Sequence, residues 1–140
     1  DESESRGLGD VYKRQDQRYK EEIEDATAGL SFIKDLRPVT FKWKKEKDLP
    51  ASHKAYVEGS EARTMNDYTN HGFIAQEVKA VIDAHSEIKN GFDMWCTDSQ
   101  ADGGRERIAD GALLPILVKA IQEQNALIEA LTARVATLEG

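Results

Sequence analysis

The chain has 140 residues, 32% of them charged and 39% hydrophobic, with a net charge of −7. That is enough for one modest core plus an elongated segment, and the negative charge argues against phosphate backbones as the main partner. A single cysteine, Cys96, excludes an intrachain disulfide and a thiolate metal site, and no apolar run approaches the roughly 20 residues that cross a bilayer.

Residues Asp1 to Gly9 are polar and glycine-rich and read as a tail, with nothing to bury. Asp10 to Gln15 (DVYKRQ) is what one frame of a common transposon-end sequencing adapter encodes, so an assembly scar is the expectation there, and with it the alternative that another residue natively stands in place of Gln15. Asp16 to Asp25 alternates charge densely, with Tyr19 and Ile23 four apart on one helical face. Ala28 to Leu36 carries Leu30, Ile33 and Leu36 at three-residue spacing beside Phe32. The spacing predicts a short helix, capped near Asp25 or Thr27 and ended by Arg37-Pro38. Val39, Phe41 and Trp43 alternate with polar residues as a half-buried strand does, and Lys44 to Lys47 reads as its solvated end.

Asp48 to Asn70 is polar and aperiodic, a long loop with a helical turn expected near Ser60 to Met65. His71 to Val78 reads as a strand with Phe73, Ala75 and Glu77 on one face. Helical spacing takes over from Glu77 to Ala84. Ile88 to Gly104 reads as loop, with Asn90-Gly91 and Gly103-Gly104 as turns around Phe92, Met94 and Trp95. Arg105 to Ala109 reads as a short strand, Asp110 as the cap of a final helix, and Pro115 as tolerated in its first turn.

The last stretch, Ala112 to Gly140, has a coiled-coil repeat. Leu114, Ile121, Ile128 and Val135 fall at a, and Leu117, Gln124, Leu131 and Leu138 at d. The g positions Leu113, Ala120 and Leu127 are apolar, which widens the stripe beyond what two strands need. β-branched a residues with leucine at d lean the other way, towards a dimer; three strands is the reading preferred here. Gln124 is a polar layer that costs stability and helps to fix register. Docking of this helix on its own domain is the alternative use of an apolar stripe.

Four blocks stand in order along the chain: Arg18-x-Lys20-Glu21-x-Ile23; Gly29-Leu30-x-Phe32-Ile33-x-x-Leu36-Arg37-Pro38-Val39-x-Phe41-x-Trp43; His71-Gly72-Phe73-Ile74-Ala75-Gln76-Glu77-Val78; and Leu117-Val118-Lys119-Ala120-Ile121-Gln122-Glu123. Together they resemble the C-terminal intramolecular chaperone domain of phage tailspikes and tail fibres, the endosialidase type. The resemblance implies an α+β core over residues 16–110, after a tail over 1–15, followed by a trimerising coiled-coil helix over 111–140. It further implies a homotrimer that helps a β-rich shaft upstream in the same chain to fold, as a phage virion tail precursor assembled in the host cytoplasm.

The family releases itself through a serine–lysine dyad in a Ser-x-x-Arg-x-Lys arrangement, cutting just before the serine. Matched on Arg18 and Lys20, the base is Lys20, and the serine position holds Gln15, whose amide cannot form an acyl intermediate. The chain as written is therefore expected not to cleave itself. His71 is the remaining candidate participant, with an ordinary strand-edge histidine as the alternative. Gln76 and Glu77 read as packing and subunit-contact residues, and Trp43 and Trp95 as core or interface residues. His53 and His85 have no acidic neighbours at metal spacing, so neither metal nor cofactor is expected. Neither nucleic acid nor membrane is expected as a partner. A different class of function stays open: an α+β adaptor that uses the coiled-coil tail to oligomerise and binds another protein.

Overall fold

The computed structural model describes residues 15–89, 92–98 and 103–140. The tail up to residue 14 and the Asn90-Gly91 turn lie outside the described residues. The architecture is α+β. In order, it has a 3-10 turn Gln17–Tyr19, helix α1 (Leu30–Ile33), strand β1 (Val39–Phe41), a 3-10 turn Glu46–Asp48, strand β2 (Asn70–Gly72), and helices α2 (Ala75–Ala84) and α3 (Ser86–Lys89). Strands β3 (Trp95–Thr97) and β4 (Glu106–Ile108), a 3-10 turn Asp110–Leu113 and the long helix α4 (Leu114–Glu139) complete it. The strands form two separate antiparallel pairs, β1 with β2 and β3 with β4.

The core gathers where α1, α2, α3 and the start of α4 meet. Phe32 and Met94 are wholly buried, and Val78, Ile82, Ile88, Leu113 and Ile116 close around them. Phe92 and His85 meet the Phe32 ring edge-on, with centroids 6.0 and 5.4 Å away. Removing a ring of this kind typically costs about 3–5 kcal/mol.

Several elements differ from the sequence reading, each for a physical reason. Asp16 to Asp25 forms one 3-10 turn rather than a helical face, because Tyr19 and Ile23 have nothing to pack on and remain exposed. Helix α1 is a single turn with Gly29 at its N-cap, not Asp25 or Thr27. Its first N–H is satisfied from outside: Leu30 N donates to Glu123 Oε1 on α4 at 2.8 Å. Gly29 is required by that approach, since a Cβ there would lie 2.1 Å from Glu123 Oε1 and 2.8 Å from Lys119 Cγ. Neither a capping side chain in α1 nor its own length stabilises it; docking on α4 does.

The β1 alternation holds in burial through Trp43, although ladder pairing stops at Phe41. No helical turn forms at Ser60 to Met65. That stretch runs back along the chain following β1, with Lys45 bridged to Arg63 and Thr64 N donating to Lys44 O at 3.0 Å. Lys45 and Lys47 are not simply solvated: both hold Glu61, and the two ammonium groups bring its carboxyl down to about 2. Strand β2 is shorter than expected and α2 starts at Ala75, because Ile74, Val78 and Ile82 already share a helical face and two of them enter the core.

Part of the stretch read as loop is ordered as α3 and β3. Trp95 pairs with Ile108 in register, and Gly103 and Gly104 take φ of +82° and +66° at the turn before β4. Asp98 holds this hairpin by accepting from Arg105 Nε at 2.8 Å and Arg107 Nε at 2.7 Å. Asp110 opens the preceding 3-10 turn and makes no side-chain cap on it; α4 begins at Leu114, with Pro115 in its first turn.

Helix α4 spans 26 residues, about 39 Å at 1.5 Å per residue. It uses two faces. Leu113, Ile116 and Ala120 are buried against the chain's own core. The predicted a and d residues are not: Leu114, Leu117, Ile121, Ile128, Leu131, Val135 and Leu138 are 38–83% exposed. Gln124 is also exposed. This corrects the reading of the g positions, because Leu113 and Ala120 are apolar for intrachain docking rather than for a wider coil. Among the described residues no helix is long and apolar enough to cross a membrane.

Candidate functional site

The segment carrying the positions expected of the dyad, Gln15 and Lys20, is exposed along its whole length, from Gln15 to Thr27. Its local geometry is set by the 3-10 turn Gln17–Tyr19, closed by Tyr19 N to Asp16 O at 3.1 Å and Lys20 N to Gln17 O at 3.0 Å. Asp16 caps that turn, accepting from Arg18 N at 2.9 Å. It also takes the Arg18 guanidinium, with Nη2 to Oδ2 at 2.7 Å and Nε to Oδ1 at 3.2 Å. The Arg18 hydrogen bonds hold the Asp16 carboxyl below the usual range. The chain leaves the turn and passes Glu22 at φ +54°, a left-handed position that is uncommon for a residue with a side chain.

The turn brings two of the singled-out residues together: Lys20 Nζ donates to Gln15 Oε1. His71 lies elsewhere, on β2 opposite Thr40, with its side chain exposed. Among the described residues no hydrogen bond joins it to Gln15 or Lys20. With an amide at position 15, the pair can hydrogen-bond but cannot perform acyl transfer.

The other motif residues have structural work. Arg37 forks onto Glu77, Nε to Oε1 at 2.8 Å and Nη2 to Oε2 at 2.6 Å, tying the Arg37-Pro38 corner to α2. Gln76 donates to Glu106 Oε2 at 2.7 Å, and Trp95 Nε1 donates to the other oxygen of the same carboxylate at 2.7 Å. Lys79 Nζ sits 5.1 Å from the Trp95 ring centre, and Trp43 meets Phe41 edge-on at 5.1 Å. Three of the four sequence blocks are thus joined in space: the second to the third through Arg37 and Glu77, and the second to the fourth through Leu30 and Glu123.

His85 departs from the sequence reading. It has acidic neighbours, with Nε2 2.8 Å from Asp35 Oδ2 and Nδ1 2.9 Å from Glu87 Oε1. The two carboxylates, Asp35 first, raise its pKa. Both ring nitrogens are engaged, and among the described residues no group of three or more His, Cys, Asp or Glu is arranged to hold a metal. His53 packs against the Gly103 backbone, where an added Cβ would stand 2.7 Å from its ring. Sequence reasoning missed Asp16 and Glu123. An Asp two residues before Arg18 is a local turn signal that was available, whereas the Glu123 contact spans 93 positions and had none.

These contacts define a small α+β domain that carries a long helix whose apolar a/d seam is exposed along the single chain. A family model described as chaperone of endosialidase matches residues 16–87 of the 140, and the chain belongs to that family. No curated protein matched the chain. The family match ends before the fourth block, which the Glu123 contact nevertheless ties to the first α-helix.

Proposed function

We propose that this chain is a C-terminal intramolecular chaperone that trimerises through α4. In this reading it helps a β-rich tail-fibre or tailspike shaft, upstream in the same polypeptide, to fold in register. The supporting observation is the division of labour on α4. One face is buried in the chain's own core, while the a/d seam stays open over seven apolar positions with only Gln124 polar. A seam of that kind is stabilised by burial against like helices. Intertwined trimeric shafts face a large closure and association cost before their contacts form, and early trimerisation raises the effective concentration of the three shaft segments. The product is a virion tail precursor assembled in the host cytoplasm, and the partners are two further copies and the shaft.

Release by cleavage is silent in this chain. With a serine at position 15, the hydroxyl oxygen would attack the carbonyl carbon of Arg14 while Lys20 took its proton. The amine of residue 15 would leave carrying a proton, and water would hydrolyse the resulting ester to free the Arg14 carboxylate. Gln15 stops the sequence at its first step. Intact-mass measurement tests this: the chain as written keeps its full mass, whereas Gln15→Ser loses residues 1–14. Loss of that fragment from the unmutated chain would contradict the reading.

A further inference from the structure

Residues 15 and 20 do not meet in either regular backbone conformation. In an extended chain their Cα atoms stand roughly 17 Å apart, and an odd separation puts their side chains on opposite faces. In an α-helix, five positions turn the second side chain well away from the first and raise it by about 7.5 Å. Contact between Lys20 and position 15 therefore depends on the bend at Gln17–Tyr19. One 3-10 turn has two backbone hydrogen bonds and no packed side chain to hold it here, since every residue from Gln15 to Thr27 is exposed. What it does have is one carboxylate. Asp16 accepts from the Arg18 backbone N–H at 2.9 Å and from the same residue's guanidinium at 2.7 Å, so it closes the turn from both main chain and side chain.

We propose that Asp16 is a positioning residue of the cleavage site, holding with Arg18 the bend that sets position 15 against Lys20. This rests on the serine–lysine reading above. Asp16 does not touch the reacting atoms; it acts through the turn. Its side-chain length is part of the argument. Asparagine keeps the cap on the Arg18 N–H but loses the ionic fork, glutamate is one methylene too long to cap its own turn, and alanine loses both.

Two measurements on the full 140-residue chain test this. The first is an NMR contact between the Gln15 side-chain amide and the Lys20 ε-methylene protons. It is expected in the unmutated chain and absent after Asp16→Ala; persistence in Asp16→Ala overturns the proposal. The second is the rate at which Gln15→Ser loses residues 1–14. Adding Asp16→Ala is expected to slow it on the order of a hundredfold, as misplaced reacting groups do, with oligomeric mass and urea midpoint unchanged. Asp16→Asn is expected to recover part of the rate. Equal rates with and without Asp16 overturn the positioning role and leave the serine–lysine reading standing. No cleavage by Gln15→Ser with Asp16 intact overturns both.

Discussion

Glu123 shows how much one side chain can do in this fold. It lies on α4, yet it supplies the N-terminal hydrogen bond that α1 lacks because its N-cap is a glycine. Glu123→Ala is expected to destabilise the domain by about 1 kcal/mol, within the usual range for losing a cap. Gly29→Ala is expected to cost more, because the new methyl meets the Lys119 stem as well as displacing the carboxylate. Urea unfolding of the two single variants and the double variant checks this. The combined loss should fall short of the sum, since both act on one contact; strict additivity would count against the shared site. His85 makes a second prediction at this scale. Its pKa is raised by Asp35 and Glu87, so its contribution is fully present below the unfolded value of 6.5 and lost as pH rises through the higher folded value. Thermal melts should fall in that range for the unmutated chain, with Phe32, Asp35, Glu87 and neighbouring Ser31 unaltered, and His85→Gln should flatten the change.

The elements divide by whether their causes are local. The β1 alternation, the β4 strand, the Gly103-Gly104 turn and Pro115 in the first turn of α4 were readable because period two, positive φ and a missing N–H act on neighbours in sequence. The hydrogen bond between Lys20 and Gln15 depends on the local turn at Gln17–Tyr19. The extent of α1, the early start of α2 and the setting of His85 were not readable. Each involves partners 40 to 93 positions away, as with Arg37 to Glu77, His85 to Asp35 and Leu30 to Glu123. The apolar g positions misled for the same reason. Leu113 and Ala120 look like coil residues in the sequence, yet both are buried within the single chain. Ile116→Ala should therefore behave as a core substitution, costing about 2–5 kcal/mol in urea unfolding, while a seam residue such as Leu131 should not reduce the stability of a dissociated chain.

At the scale of the whole molecule, α4 is a two-sided element. Its first turns belong to the globular core, and its outer seam, left bare in the single chain, runs on to Leu138. Ile128→Asp with Leu131→Asp places charge at an a and a d position; it should abolish association while leaving the far-ultraviolet spectrum of the core intact. Gln124→Leu should raise stability and loosen strand number or register, giving mixed species in native mass spectra. The central claim is that the seam brings three chains together. Sedimentation equilibrium of the purified chain, across a range of concentrations, tests it most directly. The account predicts a single species at three times 15.6 kDa, dissociating only on dilution; a species that stays at 15.6 kDa at every concentration would contradict it.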